Sequence, residues 1–432
     1  MGSILGNPSL NVVIDTDSPR EMGIRLPDLA MTDQPRRSRL CPFTNRKPGT
    51  PWASISANTE HLGVFYRRLK AWAAQAKFSP LINDWLAFFK QNESLFNNGS
   101  AWVLFDKARA QVEGDWGLCQ PSLPMSRISG FQSFHSLVRH FLMDARRARV
   151  TYNEALDRFR DYHEVATPGR PVPHLEERDD GWGEAPLWIF KDASENRERL
   201  WIKEEEGGFL LAPTPNHPNP HVLLGDLETG LGSLVEAGVR LWPRALFTTL
   251  YLRVFVFDWF VHGIGGAMYD QITEDWAVRW LQISPSPMVA ASLTLRLPLT
   301  PARSGQQELR EAQHLQHHLL WNPDMLLQGP EKDRLHSCLA ELRQLRSENP
   351  ELGPASKLRF HRIRQLVDSL REFSRGPLQE GWSKVARLRQ FAAEEHLVNN
   401  REYAYPLHPT ESLQKHLEPL LQLRETAANV SN

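Results

Sequence analysis

Two short segments place chemically useful side chains directly after apolar runs, and the first lies near the start of the chain. Residues 10–14 form an apolar, partly β-branched run that is followed by Asp15 and Asp17. Such a run predicts a buried strand, and ligands bind at the carboxyl ends of strands in open α/β sheets. We therefore predict Asp15 and Asp17 as catalytic residues. The alternative is that both carboxylates only cap the following turn.

The second segment is a histidine followed by a glycine-rich stretch. His262 stands directly before Gly263, and Gly265 and Gly266 follow. Glycines between a strand and a helix let a ligand approach the backbone, where the helix N-terminus offers free N–H groups to an anion. Since imidazole titrates near neutral pH, His262 is predicted to contact a phosphate or act as a general acid or base. The alternatives are a tight turn that needs glycine for a positive φ and a structural, hydrogen-bonded histidine.

Three arginines flank the glycine stretch and are predicted to supply positive charge to an anionic small molecule: Arg244, Arg253 and Arg296. Arg253 lies inside an otherwise apolar helical pattern, and a buried guanidinium needs a partner. Asp258 and a bound anion are the two candidates for that partner.

The elements that must position these residues follow a strand–helix–strand pattern. A helix is predicted over 243–258, because proline suits the first helical turn, and a short strand over 259–262. The glycines then open a helix over 267–281, and an alternating strand follows over 288–298. This βαβ order puts His262 at the carboxyl end of a strand.

The remaining pattern divides the chain into regions. Three β-rich runs separated by polar turns, at 185–190, 199–203 and 208–211, predict an antiparallel meander. The predicted regions are a first part of the α/β core with helical insertions (1–180), the meander (181–215), the βαβ part of the core (216–304), a helical hairpin arm (305–400) and a tail helix (401–432).

The arm is predicted from apolar residues that recur every three or four positions on three helices joined by short turns. The stripes are these: Leu335, Leu339, Leu342 and Leu345; Phe360, Ile363, Val367 and Leu370; Leu378, Trp382, Val385 and Leu388. A lone hairpin with such narrow stripes leaves apolar surface exposed, so we expect the arm to pack on the body or on a second copy.

Composition excludes several classes. The 432 residues carry 50 Lys+Arg and 51 Asp+Glu, so the basic excess of a dedicated nucleic-acid binder is missing. Three widely spaced cysteines give no Cys-x-x-Cys metal motif and argue against a disulfide framework. The first residues do not resemble a signal peptide, and we expect a cytoplasmic protein.

Neither a membrane span nor a metal site is predicted. The apolar segment 245–261 contains Arg253 and Asp258, and each central charge would cost about 2.5–3.5 kcal/mol on insertion. The histidines at 314, 317 and 318 fit a solvated helix face better than a zinc site. No cofactor motif and no Walker loop are evident, and a nucleotide is the remaining cofactor candidate.

The order of segments resembles an uncharacterised bacterial family that in turn resembles the cysteine-adding ligase of bacillithiol synthesis. The resemblance is carried by RALFTTLYLRVFVFDWFVHGIGGAMYDQIT (244–273), by SLTLRL (292–297) and by NREYAYPLHPTESL (400–413). It implies a Rossmann-like core, a Gly-Gly loop at Gly265 and Gly266, a serine-bearing strand at Ser292, and a coiled-coil arm that dimerises. VVIDTD (12–17) corresponds to the acidic strand end. Family members also carry an earlier HQP-type segment that nothing before Leu10 matches, so we expect the sheet to lack one strand.

The predicted fold is thus α/β, with a Rossmann-like core, a small antiparallel meander and a C-terminal antiparallel, coiled-coil-like arm. The predicted function is that of a ligase-like enzyme, which joins a small, cysteine-like amino metabolite to an acceptor and binds an anion at the glycine stretch. The alternative is a non-catalytic scaffold protein that forms a homodimer through the arm.

Overall fold

The computed structural model describes residues 8–19, 23–27, 29, 37–41, 49–56, 59–92, 100–118, 120–167, 169–192, 196–299, 306–348 and 354–430. Over these ranges the protein is a mixed α/β structure in which helices predominate, which confirms the α/β class.

Eleven strands lie in these ranges. They are β1 (Asn11–Val13), β2 (Ile24–Pro27), β3 (Arg37–Leu40), β4 (Ser122–Pro124), β5 (Gly183–Lys191), β6 (Glu198–Glu205), β7 (Gly208–Ala212), β8 (His221–Leu224), β9 (Val239–Pro243), β10 (Phe260–His262) and β11 (Met288–Ala290).

The helices of the body come first along the chain. They are α1 (Thr59–Gln75), α2 (Ile82–Gln91), α3 (Ala101–Asp115), α4 (Met125–Ile128), α5 (Gln132–Met143), α6 (Ala145–Tyr162), α7 (Leu227–Glu236), α8 (Ala245–Tyr251) and α9 (Ile264–Trp280). The later helices are α10 (Gln306–Trp321), α11 (Pro330–Arg334), α12 (His336–Ser347), α13 (Pro354–Phe373), α14 (Arg375–Val398) and α15 (Thr410–Val430).

The largest sheet is antiparallel, with the order β8-β7-β6-β5-β9. Its three central strands are the predicted meander, which is confirmed. The prediction missed both edge strands and placed Pro243 in the first turn of a helix. Pro243 instead ends β9, because a residue without an N–H is tolerated at a sheet edge, and α8 begins two residues later.

The predicted βαβ unit is also confirmed. Strand β10 leads through the glycines into α9, and β11 returns parallel to β10, with His262 opposite Ala290. Two details differ from the prediction. The helix before β10 changes to a π-helix over Leu252–Val256, and β11 ends at Ala290, so residues 291–299 lie outside the ladder.

A second parallel pair lies near the start of the chain, where β1 runs beside β4 with Val13 opposite Pro124. Among the described strands, these two pairs are the only parallel pairings. The Rossmann-like arrangement of the core therefore stays a prediction.

Three apolar clusters hold these elements together. The main cluster joins α5, α6, α8 and α9 to one face of the antiparallel sheet, and residues of β1, β4 and β10 pack against it. A second cluster joins α1–α3 to residues 403–413, so the segment after the arm returns to the first helices. A third lies between α12 and α13.

The arm, formed by α10 and α12–α14, consists of antiparallel helices. Between α10 and α14, the side chain of Gln316 donates to the carbonyl of Leu378, and the backbone N–H of Gln306 donates to Glu395. Within the described ranges, no helix has the length and the apolar composition that a membrane crossing requires.

Candidate functional site

Asp15 lies just beyond the end of β1 and is almost fully buried, with 1% of its surface exposed. Because β1 and β4 run parallel in register, Ser126, which is two residues past β4, reaches the same edge. The backbone N–H of Ser126 donates to Asp15 over 2.8 Å, and its hydroxyl donates to the second carboxylate oxygen. Burial raises the pKa of Asp15, while these hydrogen bonds oppose the rise.

These contacts make Asp15 an acceptor for the first turn of α4 and not a cap of the turn that directly follows it, and they fix its carboxylate at a strand end. The turn that contains Asp15 is held by hydrogen bonds from another segment of the chain. The N–H groups of Ala53 and Trp52 donate to the carbonyls of Asp15 and Asp17 over 2.8 and 3.0 Å. Backbone position at this strand end is therefore set by a separate segment of the chain.

Asp17 belongs to a group that we call the arginine–tryptophan cluster, which consists of Asp17, Glu184, Trp188, Arg197 and Arg244. Arg197 pairs with Asp17 and lies over the indole of Trp188, 4.2 Å from the ring centroid. Arg244 lies over the same ring at 4.7 Å and pairs with Glu184. The structure thus connects two predicted site residues, Asp17 and Arg244, through one tryptophan.

Apart from the exposed Asp17, the cluster is mostly buried, and its charges are compensated within the protein. Glu184 is fully buried and also lies 3.5 Å from a guanidinium nitrogen of Arg199. Arg197 donates over 2.7 Å to the carbonyl of Thr16, and burial lowers its pKa although Asp17 opposes this. A guanidinium that already has a carboxylate, a ring and a carbonyl as partners is better suited to holding the β1 turn than to meeting a ligand.

A second group, the glycine loop, consists of residues 262–266. Gly263 is the N-cap of α9 with φ −67°, and no side chain caps the helix. The N–H groups of the first helical turn, from Ile264 to Gly266, have no acceptor within the helix. A Cβ at Gly263 or Gly265 would meet no atom within 4 Å, so the backbone there is open to an approaching group.

Gly266 is required for a different reason. A Cβ at this position would lie 1.6 Å from Cε1 of His262, so the imidazole rests directly on the glycine. None of the three glycines has a positive φ, and the tight-turn alternative is therefore wrong. The glycine stretch makes room for the histidine ring against the first turn of α9.

The segment after β11 joins this group through the backbone. The N–H of Ala291 donates to the carbonyl of His262 over 2.9 Å, which brings exposed Ser292 next to the strand end. Arg296 is exposed, and its backbone bonds to the ring of His408. The structure gives no contact between the side chain of Arg296 and the glycine loop.

Arg253 is placed differently from the prediction. Its guanidinium pairs with buried Asp270 of α9, contacts Glu274 at 2.7 Å and donates over 2.9 Å to the carbonyl of Ser286. The partner is thus Asp270, and neither exposed Asp258 nor an anion is needed. This buried ion pair ties the π-helix to α9.

Sequence reasoning missed four residues that these contacts bring into the site: Ser126, Glu184, Trp188 and Arg197. Trp188 stands in one of the three β-rich runs of the predicted meander, and Arg197 lies in a polar connection between two strands. Ser126 lies two residues past β4, as Asp15 lies two residues past β1.

Two surface pockets lie away from both groups. A pocket of 130 Å³ is lined by residues at the start of α5, and a pocket of 480 Å³ lies between β8 and α7. No predicted site residue lines either pocket. In the described part of the chain, no three His, Cys, Asp or Glu side chains are arranged to hold a metal ion.

No model of a known protein family matches the chain, and a search of curated proteins gives no significant match. The resemblance to the cysteine-adding ligase therefore stays a prediction.

Proposed function

We propose that the protein binds an anionic small molecule at the glycine loop and uses it in a ligase-like reaction. The observation that carries this proposal is the open, uncapped first turn of α9, against which the ring of His262 rests. Helix N-termini of this kind stabilise phosphate and carboxylate groups through free N–H donors and the helix dipole.

The exposed side chains beside the loop indicate what else the ligand carries. Trp259, Val261 and Ile264 are large, apolar and more than half exposed. An anion joined to an apolar or aromatic part, as in a nucleotide, gains from both the N–H groups and these side chains.

The reaction proposed from the resemblance is the joining of a small, cysteine-like amine to an acceptor. An amine nucleophile must be deprotonated, and His262 is the candidate base because its ring rests against the first turn of α9, beside the proposed anion site. Asp15 and Asp17 stay candidate catalytic residues, and Asp17 is the one proposed to bind the amine. Asp17 is the more accessible of the two, since its side chain is 61% exposed.

Thermal unfolding with inorganic phosphate, nucleotides and sugar phosphates tests the binding step. A ligand at about 100 times its Kd stabilises the native state by about 2.7 kcal/mol, so a clear rise in Tm is expected. The variant His262→Ala is expected to reduce the rise, while His317→Ala on the exposed face of α10 leaves it unchanged. A flat response over the whole panel contradicts the proposal.

The catalytic step needs its own test. The protein is incubated with cysteine and each stabilising ligand, and mass spectrometry is used to search for a product that equals the two reactants minus the leaving group. Product formation that His262→Ala abolishes supports a ligase-like enzyme. Stabilisation without any product supports a binding protein.

A second function, a scaffold that dimerises through the arm, is favoured by exposed apolar side chains there. The large apolar residues of the arm that are at least 43% exposed include Leu315, Trp321, Met325, Phe373 and Trp382. Light scattering of the full chain is expected to give twice the monomer mass, and Trp382→Ser is expected to lower it. A monomer at all concentrations contradicts this candidate.

A further inference from the structure

The outer end of the arm carries a surface that the proposed function does not use. Helices α12 and α13 are antiparallel, because Arg359 donates to the carbonyl of Leu345 and Arg362 pairs with Glu341, both over 2.6 Å. The chain passes from one helix to the other between residues 348 and 354. We call residues 341–348 and 354–364 the arm tip.

One side of α13 is buried and the other is exposed. Leu366, Val367 and Leu370 pack into the apolar cluster between α12 and α13. On the exposed side, a single helical face presents residues spaced i, i+3, i+4 and i+7, and all four are exposed: Lys357, Phe360, His361 and Arg364. Beside this face, Leu358 is 73% exposed, and Phe360 itself is 54% exposed.

The arm tip is also a basic segment in a chain whose acidic and basic residues almost balance. It contains six Lys and Arg residues and two Glu residues, whereas the whole chain has a net charge of −1. Arg346, Arg359 and Arg362 are engaged with Asp324, a backbone carbonyl and Glu341. Lys357 and Arg364, on the exposed face, present their charge outward.

We propose that the arm tip docks on an anionic lipid surface. Lys357 and Arg364 lie on the same helix face as Phe360, so their charges reach lipid phosphates while the ring enters the boundary between headgroups and acyl chains. Leu358 adds a second apolar contact of the same kind. The helix lies on the surface and does not cross it, which agrees with the charged residues along its length.

Two exposed apolar side chains among the cations favour lipid over nucleic acid. A nucleic acid would pair its phosphates with the cations and stack its bases on the phenyl ring. It would provide no apolar contact for an exposed leucine. An acyl boundary accepts both Leu358 and Phe360.

Co-sedimentation of the full chain with vesicles tests the proposal. Vesicles of phosphatidylcholine mixed with phosphatidylglycerol are expected to bind the protein, and vesicles of phosphatidylcholine alone are not. The double variant Lys357→Gln/Arg364→Gln removes two cations, each of which contributes about fivefold, so binding should weaken roughly 20- to 30-fold. Leu358→Ser/Phe360→Ser keeps all charges and is expected to weaken binding as well.

The matched control is Lys384→Gln/Arg387→Gln, which removes two exposed cations from α14 and is expected to leave vesicle binding unchanged. All of these changes are at exposed positions, so equal melting temperatures are expected. Absence of binding, equal binding to neutral vesicles, or equal losses in control and arm-tip variants would overturn the proposal.

Binding to a fluorescent single-stranded oligonucleotide distinguishes a nucleic-acid surface from a lipid-binding surface. If it binds more tightly than the anionic vesicles and only the charge variant weakens it, the arm tip is a nucleic-acid surface and the lipid proposal is wrong.

Discussion

In the arginine–tryptophan cluster, two guanidinium groups meet two carboxylates and one indole ring, and little of Arg197 and Arg244 reaches solvent. In the glycine loop, by contrast, no side chain caps the first turn of α9, and Gly263 and Gly265 face open space. Both regions contain residues that were predicted to bind an anion, but only the second has donors left to offer one.

The difference shows that the partners of a predicted site residue decide whether it is structural or available to a ligand. A cation with a buried carboxylate beside it has already been neutralised, and displacing that carboxylate would leave it uncompensated. Arg244 and Arg253 are therefore better explained as structural, through Glu184 and Asp270. Backbone N–H groups at an open helix end have no acceptor within the helix and can still bind an anion.

The largest expected effect is the loss of Glu184. Glu184→Ala leaves Arg244 without its buried carboxylate, and breaking such a pair costs about 3–5 kcal/mol in the free energy of unfolding, measured in urea. The control Glu372→Gln changes an exposed carboxylate that lies 3.3 Å from the exposed Arg375, and no more than about 0.5 kcal/mol is expected. Equal effects would show that the cluster is not the tightly compensated region described above.

Two neighbouring glycines give the next test. Gly266→Ala places a Cβ against the His262 ring and is expected to displace the imidazole, at a cost of about 1–3 kcal/mol, and to reduce ligand-induced stabilisation. Gly265→Ala meets open space and is expected to be neutral or stabilising by up to about 1 kcal/mol. Thermal unfolding with and without the stabilising anion measures both.

A double variant checks the cause. If the collision with the ring destabilises Gly266→Ala, adding His262→Ala should recover part of the lost stability. Additive losses would mean that the glycine is needed for some other reason.

Local patterns were sufficient to predict much of the fold. The βαβ unit follows from glycines between two periodic segments, and the meander follows from polar turns between β-rich runs. The edge strands β8 and β9 were missed, although with four and five residues they are about as long as β7. Pairing with a neighbouring strand helps to decide the conformation of such short runs.

The candidate site was harder to predict, because its contacts join distant parts of the chain. Asp15 and Ser126 are 111 residues apart, and Asp17 and Arg197 are 180 apart. Asp270 pairs with Arg253 because the π-helix packs on α9, a partner that the sequence analysis did not name. Gly266 was predicted as a ligand-binding residue, but it is the position of the His262 ring that explains why a side chain does not fit there.

The pH dependence of Asp15 gives a smaller effect. The folded state has a raised pKa and the unfolded carboxyl titrates near 3.8, so the folded state binds more protons between these values. Stability should therefore fall as pH rises through this window. Asp15→Asn does not titrate, so its Tm relative to the parent protein should rise over the same window. A constant Tm difference across the window would contradict the raised pKa.

The smallest effect is expected at Asp17, although it is the carboxylate that joins the β1 end to the cluster. Its side chain is 61% exposed, so solvent and salt screen its attraction to Arg197. Asp17→Asn should cost no more than about 1 kcal/mol, and the difference should shrink in high salt. Arg197→Gln should cost more, because it also removes the hydrogen bond to Thr16 and the contact with Trp188. If unfolding in urea instead shows a large, salt-independent loss for Asp17→Asn, then the carboxylate carries the junction, and Asp17 is a structural residue with no role in binding an amine.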